Sequence, residues 1–229
     1  AAFARAVDVV TYEFENVPAE TVRILADAGA AVAPGERALA IAQDRLFEKQ
    51  FIEGLGAAVA PYAAVDDLDS LAAGVARIGR PAILKTRRLG YDGKGQTMLG
   101  AGVPGESGAG LEAEWRAANE KAWREIGARP SILEGFIDFA MEISIIGARG
   151  RSGEIRLFDA PRNEHSGGIL QRSSTPCRAP SGAVEAASSI AVKLLGALDY
   201  VGVVGVDFFV RVDGGVIVNE FAPRVHNSG

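Results

Sequence analysis

Short apolar runs alternate with segments of helical period along most of the chain, and Gly or Pro marks nearly every junction. Residues 7–14 read as a buried strand, 18–28 as a helix with Pro18 near its start and Gly29 at its end, and 30–33 as a second short strand. Asp44 is placed to cap a helix running to about Gly54, with residues 54–61 as its exit. A helix over 66–78, a strand over 82–86 and a glycine-rich loop over 90–95 follow. Residues 100–110 show no period and much Gly and Pro, the pattern of a mobile surface loop. A helix over 111–127 leads to a short strand over 131–134. A hairpin is predicted from 142–148 and 154–158, turning on Gly150-Arg151-Ser152-Gly153, then a helix over 182–198 and a last hairpin from 203–212 and 216–222. No internal repeat is visible. The whole is of α/β (α+β) class, and its first part reads as the tail of an open α/β unit.

The last hairpin carries the first chemistry. With Val212 paired to Gly215 across a two-residue Asp213-Gly214 turn, Asp207 falls directly opposite Glu220 on one face. A three-residue loop would put Phe208 there instead. Opposed like charges, with β-carbons about 4.5–5.5 Å apart, destabilise a sheet unless a cation lies between them. Two hard carboxylate ligands suit Mg²⁺, which completes its shell with phosphate oxygens and water. The alternative is a solvated strand face.

Composition narrows the classes. The chain has 229 residues, 48% of them hydrophobic, which is enough for a proper core in one large domain or two smaller ones. A net charge of −5 without a long basic run removes the electrostatic basis for nucleic-acid or membrane-surface binding. Cys177 is the only cysteine, so no internal disulfide and no cysteine-rich metal site can form, and a reducing cytoplasm fits. The longest apolar run, around 200–210, is broken by Asp207 and far too short to span a bilayer. The N-terminus lacks a signal-peptide layout, and without an initiator Met, Ala1 reads as a cut end.

Three further segments are candidates. Lys85 ends a buried strand and is followed by Gly90-Tyr91-Asp92-Gly93-Lys94-Gly95-Gln96, whose glycines allow close backbone approach and an anion nest above a fixed cation. An ordinary hairpin with solvated basic residues is the alternative. Glu134-Gly135-Phe136-Ile137 is an extended stretch between two lobes, able to offer backbone groups to an adenine edge, while Glu142 could accept both ribose hydroxyls. His165 lies in a polar loop, and Arg224 and His226 follow the carboxylate hairpin. Two histidines so far apart, without cysteine, give little support for zinc.

In order, Thr11 to Pro18, the Asp44-Arg45 helix with Lys49-Gln50, Lys85, the GYDGKGQ string, Glu134 to Glu142, His165 to Leu170, Gly202 to Asp207 and the NEFAPRVHNSG string from Asn219 to Gly229 closely resemble the N5-carboxyaminoimidazole ribonucleotide synthetases. These are ATP-grasp enzymes of purine biosynthesis. The resemblance implies an ATP-grasp fold preceded by the remnant of an open α/β (pre-ATP-grasp) domain and truncated at both ends. It divides the chain into the remnant over 1–58, a small lobe with the glycine-rich lid over 59–131, and a large lobe with the metal hairpin over 132–229. It further implies an ATP-dependent, cytoplasmic, homodimeric ligase that carboxylates 5-aminoimidazole ribonucleotide with bicarbonate through carboxyphosphate. Carried over, Arg45, Lys85, Gly90 to Gln96, Glu134 to Ile137, Glu142 and His165 contact ATP. Asp207 and Glu220 hold Mg²⁺, with Asn219 beside the phosphates. Tyr91, Lys94, Arg224 and His226 match the bicarbonate and nucleotide-substrate region. Asp207 stands where the family more often has Glu, and Lys94 where Arg is also common. The competing readings are another ATP-grasp ligase, such as formate-dependent glycinamide ribonucleotide transformylase, and a nucleotide-binding module without turnover.

Overall fold

A computed structural model describes residues 2–90, 95–100, 109–180 and 182–229 and separates the chain into two units. The larger comprises Ala1–Val59, Phe139–Ser166 and Leu170–Gly229, and the smaller Ala60–Asp138 and Gly167–Ile169. Residues 91–94 and 101–108, which carry the centre of the glycine-rich loop and most of the expected surface loop, lie outside the described residues.

The larger unit opens on helices α1 (Ala2–Arg5), α2 (Ala19–Asp27), α3 (Glu36–Ala42) and α4 (Arg45–Gly54). The strands expected over 7–14 and 30–33 shrink to one parallel bridge between Val10 and Val32, held by Val10 N–H to Ala31 O at 2.8 Å and Ala33 N–H to Val10 O at 2.9 Å. A ladder needs a partner residue at every step, and pairing here ends after one. Helix α3, with seven residues, is too short to show a period and was not foreseen. Helix α4 starts where its cap predicts, the Asp44 carboxylate accepting the Leu46 amide at 3.1 Å.

The smaller unit is a four-stranded antiparallel sheet in the order β1-β4-β2-β3, built from β1 (Tyr62–Val65), β2 (Ala82–Thr86), β3 (Gln96–Leu99) and β4 (Ser131–Gly135). Helices α5 (Leu68–Ile78) and α6 (Ala109–Glu125) cover it, and Val65, Leu71, Leu84, Leu133 and Ile126 form its core. A capping box between Asp67 and Ser70 starts α5. Gly74 lets this helix come close, since a β-carbon there would meet Ala63 and Leu133 at 3.2 Å. Strand β4 sits inside this sheet, so the boundary expected after residue 131 falls after Asp138.

The larger unit's sheet has six strands. Five run in the order β10-β9-β5-β7-β8, from β5 (Met141–Arg149), β7 (Arg162–Ser166), β8 (Ile169–Ser174), β9 (Gly202–Val210) and β10 (Val216–Ala222), and β6 (Ile155–Leu157) pairs with β5. Alternation along β5 and β9 turns Ile143, Ile145, Val206 and Phe208 toward helix α7 (Ala183–Ala197), whose Ala187, Ala191, Leu194 and Leu195 complete the core. The opposite face carries Glu142, Ser144 and Asp207. The polar β7, expected as loop, and β8, for which no element was expected, are strands because they pair within this sheet, although their sequences hold little apolar alternation. Among the described residues no helix is long and apolar enough to cross a membrane.

Candidate active site

The last hairpin turns through Val212, Asp213 and Gly214. Gly214, at φ 83°, donates to Arg211 O at 2.9 Å, and Arg211 donates to Gly215 O at 2.9 Å. The loop is therefore three residues long, not two, but it is Val212 to Gly214 and not the Asp213 to Gly215 loop that would put Phe208 opposite Glu220, and Val216, Ile217 and Val218 pair with Val210, Phe209 and Phe208. Continued regularly, this register would bring Asn219 opposite Asp207. A β-bulge between Val218 and Glu220 inserts one residue, and beyond it Glu220 faces Asp207 and Phe221 faces Val206. The expected turn is thus corrected, while the two carboxylates do stand opposite each other.

On the other side of β9, Ser144 of β5 faces Asp207. Its hydroxyl donates to Asp207 Oδ1 at 2.5 Å and accepts the Asn163 amide at 2.5 Å. Ser173 in turn donates to Asn163 Oδ1 at 3.0 Å. This polar row crosses β8, β7, β5 and β9 and fixes one Asp207 oxygen. The other faces His226 Nε2 at 3.4 Å, and His226 Nδ1 shares a hydrogen bond with Ser228 Oγ at 2.7 Å. Burial pulls the imidazole pKa down, but the hydrogen bond and charge of Asp207, helped by Glu220, outweigh it and leave the net shift upward. Gly205 makes room for the ring: a β-carbon there would overlap His226 Cγ and Cβ.

Cations surround the carboxylates. Arg45, in the first turn of α4, reaches Glu220 Oε2 at 2.8 Å, and Arg224 Nε reaches Glu15 Oε2 at 2.5 Å. Glu142 pairs with His165 Nδ1. Burial raises the Glu142 pKa, His165 opposes that, and the charges of Asp207 and Glu220 add to the rise. Arg45, Glu142, His165, Asp207, Glu220, Arg224 and His226 thus gather in the larger unit as one charged surface on and beside the sheet, and Asn219 sits in the bulge next to Glu220.

In the smaller unit Lys85 and Glu134 form a largely buried pair at 2.9 Å, on adjacent strands with Glu134 across from Ile83. The Gly135 and Phe136 amides are bonded to Pro61 O at 2.8 Å and Pro81 O at 3.1 Å, so these two donors of the stretch are already paired within the fold. Ile137 follows outside any helix or strand. Gly95 closes its loop at φ 72° with its carbonyl accepting the Thr86 amide at 2.8 Å, and Gln96 pairs with Lys85 across β2 and β3. Gly90 precedes the undescribed residues Tyr91, Asp92, Gly93 and Lys94.

Residue-by-residue reading did not single out Glu48, Ser144, Asn163 or Glu15, and gave Lys49 no role. Only α4 carried a signal, in charged residues spaced by four (Asp44 and Glu48, Arg45 and Lys49) beside the buried Ile52.

The donor chemistry fits a hard cation. Among the described residues no three His, Cys, Asp or Glu side chains converge as a metal site, so a metal would rest on the Asp207 and Glu220 pair.

Residues 50–229 match the family model of the ATP-grasp domain. The chain belongs to the ATP-grasp family. Residues 1–43 match the ribonucleotide synthetase preATP-grasp domain, which agrees with the open α/β remnant read from the sequence. Within the ATP-grasp family, the chain is 49% identical to the N5-carboxyaminoimidazole ribonucleotide synthase of Brucella melitensis biotype 1, over 100% of this chain and 60% of that protein. It is 44% identical to the synthase of that name from Pseudomonas aeruginosa, over 97% of this chain and 57% of the relative. The fold matches the crystal structure of the N5-carboxyaminoimidazole ribonucleotide synthetase from Thermus thermophilus with a TM-score of 0.85 and 41% identity, over 100% of this chain and 57% of that one. An ADP complex of such a synthetase matches with a TM-score of 0.85 and 36% identity, over 100% of this chain and 56% of the other. The resemblance seen in the sequence strings is therefore borne out, and this ATP-grasp chain spans 60% or less of these relatives' length.

Proposed function

We propose that the chain carries the ATP- and metal-binding part of a ligase that uses bicarbonate to carboxylate the exocyclic amine of 5-aminoimidazole ribonucleotide. The observation that carries this proposal is the opposition of Asp207 and Glu220 on a face shared with Glu142 and bordered by Arg45 and His226. The similar synthetase with bound ADP supports ATP as the nucleotide.

In this proposal Lys85, Glu134 to Ile137, Glu142, His165 and Arg45 bind the nucleotide, and Gly90 to Gln96 cover its phosphates. Asp207 and Glu220 hold Mg²⁺, which when bound neutralises phosphate charge, and Asn219 lies beside the phosphates. A bicarbonate oxygen attacks the γ-phosphorus, the bond to the β-phosphate oxygen breaks, and ADP leaves. The substrate amine then attacks the carboxyphosphate carbon, phosphate leaves, and the nitrogen gives up a proton. Tyr91, Lys94, Arg224 and His226 position bicarbonate and the aminoimidazole ribonucleotide. Carboxyphosphate hydrolyses readily, so excluding water is the purpose of the glycine-rich cover. Division into a pre-ATP-grasp remnant, small lobe and large lobe belongs to the same proposal and is supported by the preATP-grasp match over residues 1–43; a cytoplasmic location, which the single cysteine also suits, and a homodimer, which rests on the resemblance alone, belong to it too.

The test is nucleotide cleavage by a protein of its relatives' full length that contains this chain. Phosphate release that requires both bicarbonate and 5-aminoimidazole ribonucleotide supports the proposal. Release that requires formate and glycinamide ribonucleotide, or binding without any release, overturns it.

A further inference from the structure

The bulge that brings Glu220 opposite Asp207 lies on an edge strand, where backbone groups on the outer side find no sheet partner. On β10 the outward amides are those of Val218, bonded to Ala58 O at 2.9 Å, and Phe221, bonded to Glu48 Oε1 at 2.7 Å. In a regular strand outward amides recur at even spacings, so the odd spacing between Val218 and Phe221 is the phase change made by the bulge. The carbonyl of the inserted residue, Asn219, also turns outward and accepts Lys49 Nζ at 2.8 Å. Helix α4 therefore grips three consecutive residues of β10: Lys49 takes the Asn219 carbonyl, Arg45 the Glu220 carboxylate, and Glu48 the Phe221 amide.

Burying a carboxyl group and an ammonium side by side is costly unless both are bonded. Glu48 is 2% and Lys49 1% exposed. Two apolar side chains would pack this face of α4 at less cost, so the pair calls for a further role. The two hydrogen bonds supply one, because they meet backbone groups that a bulged strand presents outward and a regular strand would present elsewhere.

We propose that Glu48 and Lys49 are positioning residues that lock the bulge at Asn219, and through it hold Glu220 opposite Asp207 in the geometry that binds a divalent cation. This rests on the metal site proposed above. Without the clamp, β10 relaxes toward the regular register, Asn219 replaces Glu220 across from Asp207, and the carboxylate pair is lost.

The test uses the 229-residue chain with Mn²⁺ and a non-hydrolysable ATP analogue, binding being read from water-proton relaxation. Expected for Lys49→Met and Glu48→Leu is Mn²⁺ binding weaker by about 10- to 100-fold, the usual effect of losing a residue that orients metal ligands. Analogue binding without metal should be nearly unchanged. Glu48→Gln keeps an acceptor for the Phe221 amide and should bind Mn²⁺ like the parent. Cross-strand NOEs should place Asp207 against Glu220 in the parent and against Asn219 in Lys49→Met. Parent-like Mn²⁺ binding in both Lys49→Met and Glu48→Leu overturns the clamp, as does an unmoved Asp207–Glu220 NOE. If Lys49→Met does not fold, the contrast between Glu48→Gln and Glu48→Leu decides alone. A parent chain that binds no Mn²⁺ with the analogue refutes the metal site instead, and the NOEs still judge the clamp.

Discussion

Ser144 and Asp207 face each other across β5 and β9, and the Ser144 hydroxyl donates to the carboxylate at 2.5 Å while accepting the Asn163 amide. Both Ser144 and Asn163 are buried. Truncation to Ser144→Ala leaves a buried amide and a carboxylate oxygen without this partner, a loss of about 1–3 kcal/mol. Urea unfolding should show that loss, and Ser144→Thr, which keeps the hydroxyl, should recover part of it. An unchanged midpoint in Ser144→Ala would mean that the row carries no stability.

Glu48 gives the fold a pH dependence of known sign. Burial, and then the charge of Glu220, push its pKa from 4.5 up to about 8, against the opposing pull of Lys49. Between those values the folded chain keeps a proton that the unfolded chain has released, so rising pH favours unfolding. The contribution is fully present below the unfolded pKa and is lost as pH rises through the folded one. Its slope is at most about 1.4 kcal/mol per pH unit. Glu48→Gln mimics the neutral form, so its stability relative to the parent should climb as pH rises across this window in urea titrations. Parallel curves would show that Glu48 is already ionised in the fold.

Gly205 and His226 give a steric test. A β-carbon on Gly205 would press on Cγ and Cβ of the ring, which cannot swing clear as the end of a long flexible side chain could. Gly205→Ala should cost about 1–3 kcal/mol, the ordinary effect of overpacking, and move His226 away from Asp207. The His226 imidazole shifts in an NMR titration of the metal-free chain report that movement, since Asp207 is what raises its pKa. An unchanged titration would place the ring elsewhere.

Much of this architecture is legible in the sequence because it is encoded locally. The Asp44 cap, the lysine closing β2 and the apolar runs of β9 and β10 each depend on residues close in the chain. Strands β7 and β8 depend on partners supplied by β5 and by each other, and their polar sequences conceal them. The hairpin shows both limits. Asp213-Gly214 marks a turn but does not fix its length, and the bulge that compensates is held by Glu48 and Lys49, far away in sequence. Likewise Glu15 meets Arg224 only after the chain has folded.

Arg224 separates function from stability. Its pair with Glu15 is part-buried, with side-chain exposures of 19% and 29%, so losing the arginine costs more than the roughly 1 kcal/mol of an exposed pair and less than the roughly 3–5 kcal/mol of a fully buried one. In the full-length protein Arg224→Ala should therefore stay folded, bind ATP nearly as before and lose carboxylation. A variant with normal turnover and a lowered melting temperature would make Arg224 purely structural.

The central claim is that ATP is spent on bicarbonate, and the fate of the bicarbonate oxygens tests it most directly. Attack by a bicarbonate oxygen on the γ-phosphorus, followed by loss of phosphate to the amine, leaves that oxygen in the phosphate. With ¹⁸O-labelled bicarbonate, ATP and 5-aminoimidazole ribonucleotide, the full-length protein should release phosphate carrying one ¹⁸O for each carbamate formed, as read by ³¹P NMR. Phosphate without the label would show that water, not bicarbonate, attacks the γ-phosphorus, and would contradict the claim.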